Sequence, residues 1–155
     1  NNIDKIISKK NTTAVKDYVS GFINKQRGIK NEGEIIKKYE TTKKTKITNN
    51  NDCLYKKHLF TFKEHNFYIC GKIDGIENNK LIEIKNRKNR LFTFIPEYEQ
   101  IQIQIYFKLT GLSTGELIQN HNDEQSILPI NEDNDIWNTI IQELNIVSHK
   151  IIELL

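Results

Sequence analysis

The segment from residue 43 to residue 87 constrains the fold most, because its residues follow a strand-like pattern, whereas those before it follow a helical one. It contains short runs rich in β-branched and aromatic residues, separated by residues that favour turns. The runs lie at 54–55, 59–62, 67–70 and 81–84, and the turns at 49–52, 64–66 and 77–79. This pattern predicts three consecutive antiparallel strands.

Helical periodicity is found on both sides of this segment. Residues 1–40 have apolar positions at helical spacing, which predicts two helices over the first 23 residues and a short third helix over 31–39. After predicted strands at 114–119 and 127–130, Asp133 is positioned to cap a last amphipathic helix. One face of that helix is apolar and is expected to be core; its residues are Trp137, Ile140, Ile141, Leu144, Val147, Ile151 and Leu154.

The stretch from Pro96 to Gly111 is ambiguous, because glutamine and isoleucine alternate over 100–105 as they would in a strand. We nevertheless predict a helix. Pro96 suits a first helical turn, Glu97 and Glu99 suit the positive end of the helix dipole, and Gly111 suits a helix stop.

Taken together, the predicted elements follow the order αβββαβ of an α/β (α+β) protein with a mixed central sheet flanked by helices. A chain of 155 residues has the size of one domain. We expect a single domain over 1–155, with a helical part at 1–40, a central core at 43–131 and a C-terminal helix at 133–155.

Composition limits the classes of function. With 23 basic and 20 acidic residues, the net charge of +3 permits a nucleic-acid partner without requiring one. Cys53 and Cys70 match no metal-ligand spacing and are expected to be reduced and buried or half-buried, which favours an intracellular protein. The sequence has no apolar run of 18 residues and no signal-peptide core, so neither a membrane span nor secretion is expected.

The candidate chemistry lies around Asp74 and Glu83. Asp74 ends one β run, residues 75–80 are predicted to form a turn, and Glu83 and Lys85 lie two apart on the next strand and so share a face. Carboxylates are hard oxygen ligands of the kind that Mg²⁺ prefers. A lysine beside a metal-bound water could position it, or deprotonate it if the lysine pKa is lowered.

A surface ion pair between Glu83 and Lys85 is the simpler alternative. The apolar neighbours at 81, 82 and 84 argue against it, because burying a carboxylate without a partner is costly. A bound metal ion would be such a partner.

Three segments, in order, resemble motifs of the PD-(D/E)xK nuclease superfamily, and within it the phage lambda exonuclease and YqaJ-type viral recombinase family, to which RecB-like nucleases are related. The segments are Arg-Gly-x-x-x-Glu at 27–32 with Tyr-Glu at 39–40, Gly-Lys-Ile-Asp-Gly at 71–75 with Glu-Ile-Lys at 83–85, and Gln-x-x-x-Tyr at 102–106 with Thr-Gly at 110–111. The resemblance implies a restriction-endonuclease-like core.

It also implies a metal site. Asp74, Glu83 and the main-chain carbonyl of Ile84 would bind Mg²⁺, for which Mn²⁺ would substitute, and Lys85 would act on the water. Glu32 would add a carboxylate directly or through water, and its competitor in that role is Glu34.

Two helix residues complete the implied site. Gln102 would orient Lys85 or the substrate phosphate, and Tyr106 would pack or hydrogen-bond beside it. Without the resemblance, the same two residues read equally well as a polar helix face with one core aromatic.

Basic residues next to these motifs are candidates for nucleic-acid binding: Arg27, Arg87, Lys88 and Arg90. The last three follow the catalytic strand, where they could contact the phosphate backbone, and Arg87 is the favoured one. A solvated loop is the alternative for each. The arginine and serine segment with which such enzymes bind DNA ends has no clear match in residues 1–26.

The implied function is a Mg²⁺-dependent deoxyribonuclease, an exonuclease acting on double-stranded DNA ends in viral or phage recombination, replication or repair. It would be located in the host cytoplasm or nucleus, or be associated with the virion. A homo-oligomer or a single-strand-annealing partner stays open, as does exonuclease polarity. The alternatives are an endonuclease of the same superfamily, restriction-type or cap-snatching and acting on RNA, and an inactive nucleic-acid-binding module.

Overall fold

The structure is a computed structural model that describes residues 32–48 and 53–154. The predicted helices over the first 23 residues, and Arg27, lie outside the described residues. The described part of the chain folds in the order α1 (32–43), β1 (Tyr55–Phe62), β2 (His65–Gly71), β3 (Gly75–Glu77), β4 (Lys80–Asn86), α2 (Glu97–Thr110), β5 (Thr114–His121), β6 (Glu124–Asn131) and α3 (Asn134–Glu153).

Strands β3 to β6 form a mixed sheet in the order β3-β4-β5-β6. β4 and β5 are parallel and are joined through α2, whereas β3 with β4 and β5 with β6 are antiparallel. β1 and β2 form a separate antiparallel pair. The predicted α/β class with a mixed sheet flanked by helices is confirmed, but the three antiparallel strands expected in succession are divided between two sheets.

The connection before β4 is shorter than predicted. Residues 75–80 were expected to be a turn, but β3 already pairs with β4 from Gly75 to Glu77. Only Asn78 and Asn79 turn the chain, with φ of 46° and 63°. Two consecutive positive φ values suit the right-handed twist of a two-residue hairpin, and asparagine tolerates them better than most residues.

β4 is buried on both faces of the sheet. Ile82 and Ile84 pack with Ile35 and Tyr39 of α1. Leu81 packs on the opposite face with residues of α2. Because side chains alternate along a strand, Glu83 and Lys85 are directed toward α2, like Leu81.

The termini of α2 and α3 agree with the predictions. α2 follows Pro96 and ends at Gly111, which has φ of 77° and donates its N–H to Phe107 O. The side chain of Asp133 accepts two main-chain N–H groups at the start of α3. Helix α2 is therefore confirmed despite its alternating glutamines and isoleucines.

Two burial predictions were wrong. Cys53 and Cys70 are free thiols but exposed, because Cys53 precedes β1 and Cys70 lies on the open face of the two-stranded hairpin. The apolar face of α3 buries Ile140, whereas Val147, Ile151 and Leu154 are exposed. None of the helices in the described ranges is long and apolar enough to cross a membrane.

Candidate active site

Asp74 and Glu83 meet where the pairing of β3 with β4 ends. The last paired residues are Gly75 and Ile82, so Asp74 lies one position further, across from Glu83. Its Oδ2 accepts the main-chain N–H of Ile84 at 2.8 Å. The Asp74 side chain thus takes the place of a main-chain acceptor at the open edge of β4, and the two carboxylates are brought together.

Two glycines flank this position because the chain passes close to other elements there. A Cβ on Gly75 would lie 2.3 Å from Ile47 Cγ2, and a Cβ on Gly71 would lie 2.8 Å from a ring carbon of Tyr106. Both distances are shorter than van der Waals contact. The glycines of the Gly-Lys-Ile-Asp-Gly motif therefore let the segment that carries Asp74 pack against its neighbours.

Lys85 connects the carboxylates to α2. Its Nζ lies 2.7 Å from Glu83 Oε1 and donates to Gln102 Oε1 at 3.0 Å. Gln102 Nε2 in turn donates to the hydroxyl oxygen of Tyr106 at 2.8 Å. Gln102 and Tyr106 lie four residues apart and so share one side of α2. The structure thus brings together five of the predicted site residues: Asp74, Glu83, Lys85, Gln102 and Tyr106.

Burial dominates the electrostatics of the two carboxylates. Burial, reinforced by the charge of Asp74, raises the pKa of Glu83 to about 8, although Lys85 opposes the shift. Burial also raises the pKa of Asp74, against the Ile84 N–H and the Lys85 charge. Glu83 is only 3% exposed, and its Oε2 has no hydrogen-bond partner in the described part of the chain.

These features fit a divalent cation. The buried carboxylate of Glu83 and the partly buried carboxylate of Asp74 repel each other, and a cation between them would offset that repulsion and give Glu83 Oε2 a partner. Among the described residues, however, no three His, Cys, Asp or Glu side chains lie close enough to hold an ion together. The structure therefore does not bring Glu32 to Asp74 and Glu83 as a third direct carboxylate; its action through water stays a prediction, and Glu34 lines a different cavity.

Lys85 is held in its charged form. Burial alone would lower the pKa of Lys85, but the charge and hydrogen bond of Glu83 outweigh burial and raise it. Removal of a proton from water by Lys85 would require the opposite shift. In this arrangement Lys85 is suited to position groups and to stabilise negative charge.

Arg87 is engaged with buried groups. It forms two hydrogen bonds to the Glu99 carboxylate, at 2.5 and 2.7 Å, and its Nε donates to Gln119 Oε1 at 2.7 Å. Its predicted role in nucleic-acid binding stays a prediction, and it would require the side chain to leave these partners. Lys88 and Arg90 are exposed and accessible to phosphate.

The sequence motifs did not indicate that Glu99 and Gln119 lie beside the candidate site, where both bind Arg87. Glu99 is three residues before Gln102, which places both on one side of α2. Gln119 is the register partner of Lys85 on β5. The helix spacing was visible in the sequence, but the register of β5 was not.

The comparisons with known proteins identify structural neighbours only. No protein-family model matches the sequence, and no curated protein is significantly similar to it. Among solved structures, the protein SSO0001 is similar with a TM-score of 0.56 and 20% identity, covering 96% of this chain and 68% of that chain.

An alkaline exonuclease from Laribacter hongkongensis, LHK-Exo, is similar with a TM-score of 0.55 and 18% identity, covering 85% of this chain and 76% of that chain. Its complex with dAMP gives a TM-score of 0.58 and 18% identity, covering 86% and 76%. At these identities the similarities establish the fold of the chain.

Proposed function

We propose that this chain is a metal-dependent DNA nuclease that acts as an exonuclease at DNA ends. The observation that carries the proposal is the unpartnered, buried Oε2 of Glu83, beside the partly buried carboxylate of Asp74 and a lysine held by hydrogen bonds. A carboxylate oxygen in that situation is destabilised in the absence of a cation. The arrangement is therefore better suited to binding a metal than to stabilising the sheet.

Asp74, Glu83 and the carbonyl of Ile84 would hold Mg²⁺, with Mn²⁺ as a substitute and Glu32 acting through water. When bound, the ion supplies a water of lowered pKa and offsets charge on the phosphate. Both effects lower the barrier to hydrolysis of a phosphodiester at neutral pH.

Lys85 would contribute a fixed positive charge. Its ammonium group lies between Glu83 and Gln102, and Gln102 is itself fixed by Tyr106, so the side chain needs little reorganisation to meet a substrate. Charge that is preorganised in this way stabilises the developing negative charge of a transition state. Lys85 would thus bind a phosphate oxygen or orient the attacking water.

DNA ends are the proposed substrate because two lines of support coincide. LHK-Exo, which shares the fold, is an alkaline exonuclease and has been crystallised with dAMP. In addition, the Gln-x-x-x-Tyr segment of the sequence resembles that of lambda-type exonucleases. An exonuclease of this kind would act inside the cell in recombination, replication or repair. Its partner would be a further copy of the chain or an annealing protein.

Digestion of linear and closed-circular duplex DNA, with Mg²⁺, with Mn²⁺ and with neither, tests this proposal. We expect release of nucleotides from linear DNA only, and only with metal. Cleavage of closed circles would contradict the exonuclease assignment in favour of an endonuclease. DNA binding in a gel without metal-dependent cleavage would contradict the enzymatic assignment in favour of a binding module.

A further inference from the structure

The loop between β4 and α2, residues 87–96, combines positive charge with aromatic rings. No acidic residue lies between Glu83 and Glu97, whereas Lys88 and Arg90 are exposed on this loop. Phe92 and Phe94 follow them. Exposed cations interleaved with aromatic residues are typical of surfaces that bind single-stranded nucleic acid.

Phe92 is anchored firmly to the sheet. The side chain of Gln119 is fully buried; its Oε1 accepts the main-chain N–H of Phe92 at 3.3 Å, and its Nε2 donates to the Phe92 carbonyl at 2.9 Å. The Arg87 guanidinium lies 4.4 Å from the centre of the Phe92 ring and is itself held by Glu99. Buried groups next to the candidate active site thus fix the conformation of the loop at this residue.

Phe94, two residues further along the loop, is exposed to solvent. Its side chain is 64% exposed, and its ring is nearly parallel to that of Phe92, with an interplanar angle of 17° and 6.0 Å between centres. A large apolar ring held in water is unfavourable without a ligand. Phe94 lies two residues after Phe92, which is anchored by Gln119, the register partner of Lys85.

We propose that Phe94 is a stacking platform for an unpaired nucleobase of the DNA strand whose phosphates contact Lys88 and Arg90. This inference rests on the proposed function and extends it to a substrate-binding residue. Because every base has a flat π face, such stacking would hold a DNA end without preference for sequence. The anchor formed by Gln119 and Arg87 would keep the ring at a constant distance from the reacting phosphate.

A second copy of the chain is a less suitable occupant of this surface. A symmetric interface centred on Phe94 would bring together Lys88 and Arg90 from both copies, and like charges oppose such contact. A DNA strand offers the opposite charge in the same place. The charge of the loop therefore favours nucleic acid.

Fluorescence of 2-aminopurine, a base analogue that is quenched when it stacks, tests the proposal. Oligonucleotides with the analogue at successive positions from the end are titrated with protein in EDTA, so that binding is measured without cleavage. We expect quenching at one position. Phe94→Leu keeps an apolar side chain but removes the ring, and it should abolish that quenching and weaken binding roughly 5- to 100-fold. Phe94→Tyr should retain both properties.

Tyr68→Ala is the matched control, because Tyr68 is an exposed aromatic residue on β2 of the hairpin. Unchanged quenching in Phe94→Leu, or an equal loss in Tyr68→Ala, would overturn the proposal, as would a wild-type dimer that Phe94→Leu converts to a monomer. If the wild type cleaves DNA and quenching does not depend on Phe94, only the stacking role fails. If Phe94-dependent quenching is found without cleavage, the nuclease assignment fails and the stacking role stands.

Discussion

Asp74 lies across from Glu83, one position beyond the last paired residues of β3 and β4, and its carboxylate accepts the Ile84 N–H at 2.8 Å. A single hairpin therefore both builds the candidate metal site and buries it. Both carboxyl pKa values are raised by that burial. Two carboxylates held this close together are electrostatically unfavourable unless a cation lies between them.

Replacing Asp74 with asparagine separates its two roles. The amide oxygen of Asp74→Asn can still accept the Ile84 N–H, and the loss of one negative charge relieves the repulsion of Glu83, so we expect the thermal midpoint in EDTA to be unchanged or raised. Loss of a ligand charge should reduce nuclease activity by about 100- to 1,000-fold. Glu116→Gln is a suitable control, because Glu116 is a partly buried carboxylate paired with Lys80 elsewhere on the sheet. Retained turnover in Asp74→Asn would mean that the metal ligands lie elsewhere.

The raised pKa of Glu83 predicts a pH dependence of stability. The folded-state pKa is about 8, above the ordinary value of 4.5. The protonated carboxyl is therefore favoured by folding, its stabilising contribution is complete below about pH 4.5, and it is lost as pH rises through 8. In EDTA, we expect the wild type to lose stability relative to Glu83→Gln between pH 5 and pH 8.5.

Thermal denaturation of both proteins over that range, with and without Mg²⁺, is the measurement. At pH 8, Mg²⁺ should raise the midpoint of the wild type more than that of Glu83→Gln. Parallel pH profiles for the two proteins would contradict a buried, ionisable Glu83.

The contact between Gln102 and Lys85 predicts a kinetic signature. Gln102→Ala should lower kcat by about 10- to 100-fold with little change in KM, because it frees the lysine without removing it. Tyr106→Phe should have a smaller effect, since the hydroxyl only accepts a hydrogen bond from Gln102. Gln125→Ala is the control, because Gln125 contacts α1 on the other side of the sheet. A change confined to KM would instead assign Gln102 to substrate binding.

The buried ion pair between Arg87 and Glu99 can be tested by a double-mutant cycle. Arg87→Met or Glu99→Leu alone leaves one charged partner buried, and each should cost about 3–5 kcal/mol of unfolding free energy. Arg87→Met combined with Glu99→Leu should recover most of that loss. Urea denaturation measures the three variants; additive effects would show that the two side chains do not act as a pair.

The sequence predicted elements whose signals are local. Pro96 and Gly111 marked both ends of α2, and they outweighed a strand-like alternation of glutamine and isoleucine. In the helix, Gln104 is as buried as Ile103, whereas Ile101 is exposed, so the alternation does not separate a buried side from an exposed one. The hairpin at Asn78 and Asn79 also had a local signal, since consecutive asparagines suit a two-residue turn. That signal was read as one long turn, which concealed β3.

Features that depend on tertiary context were not predictable in this way. Cys70 alternates like a core residue along β2, but the hairpin to which it belongs packs apart from the main sheet and leaves Cys70 exposed. Gln119 reaches Phe92 and Arg87 only because β5 lies parallel to β4 in one register. For the candidate site, each motif residue could be identified from the sequence. The ion pair and hydrogen bond that join Glu83, Lys85 and Gln102 could not, because they depend on how α2 packs against β4.

The most direct test of the central claim is Mg²⁺-dependent release of nucleotides from linear duplex DNA by the wild type, Lys85→Ala and Lys80→Ala. Both lysines lie on β4 and both pair with a glutamate, but only Lys85 faces the buried carboxylate site. The account predicts that Lys80→Ala cleaves like the wild type and that Lys85→Ala loses activity by at least about 100-fold while remaining folded. Equal cleavage by the two variants, or cleavage by the wild type that persists in EDTA, would contradict it.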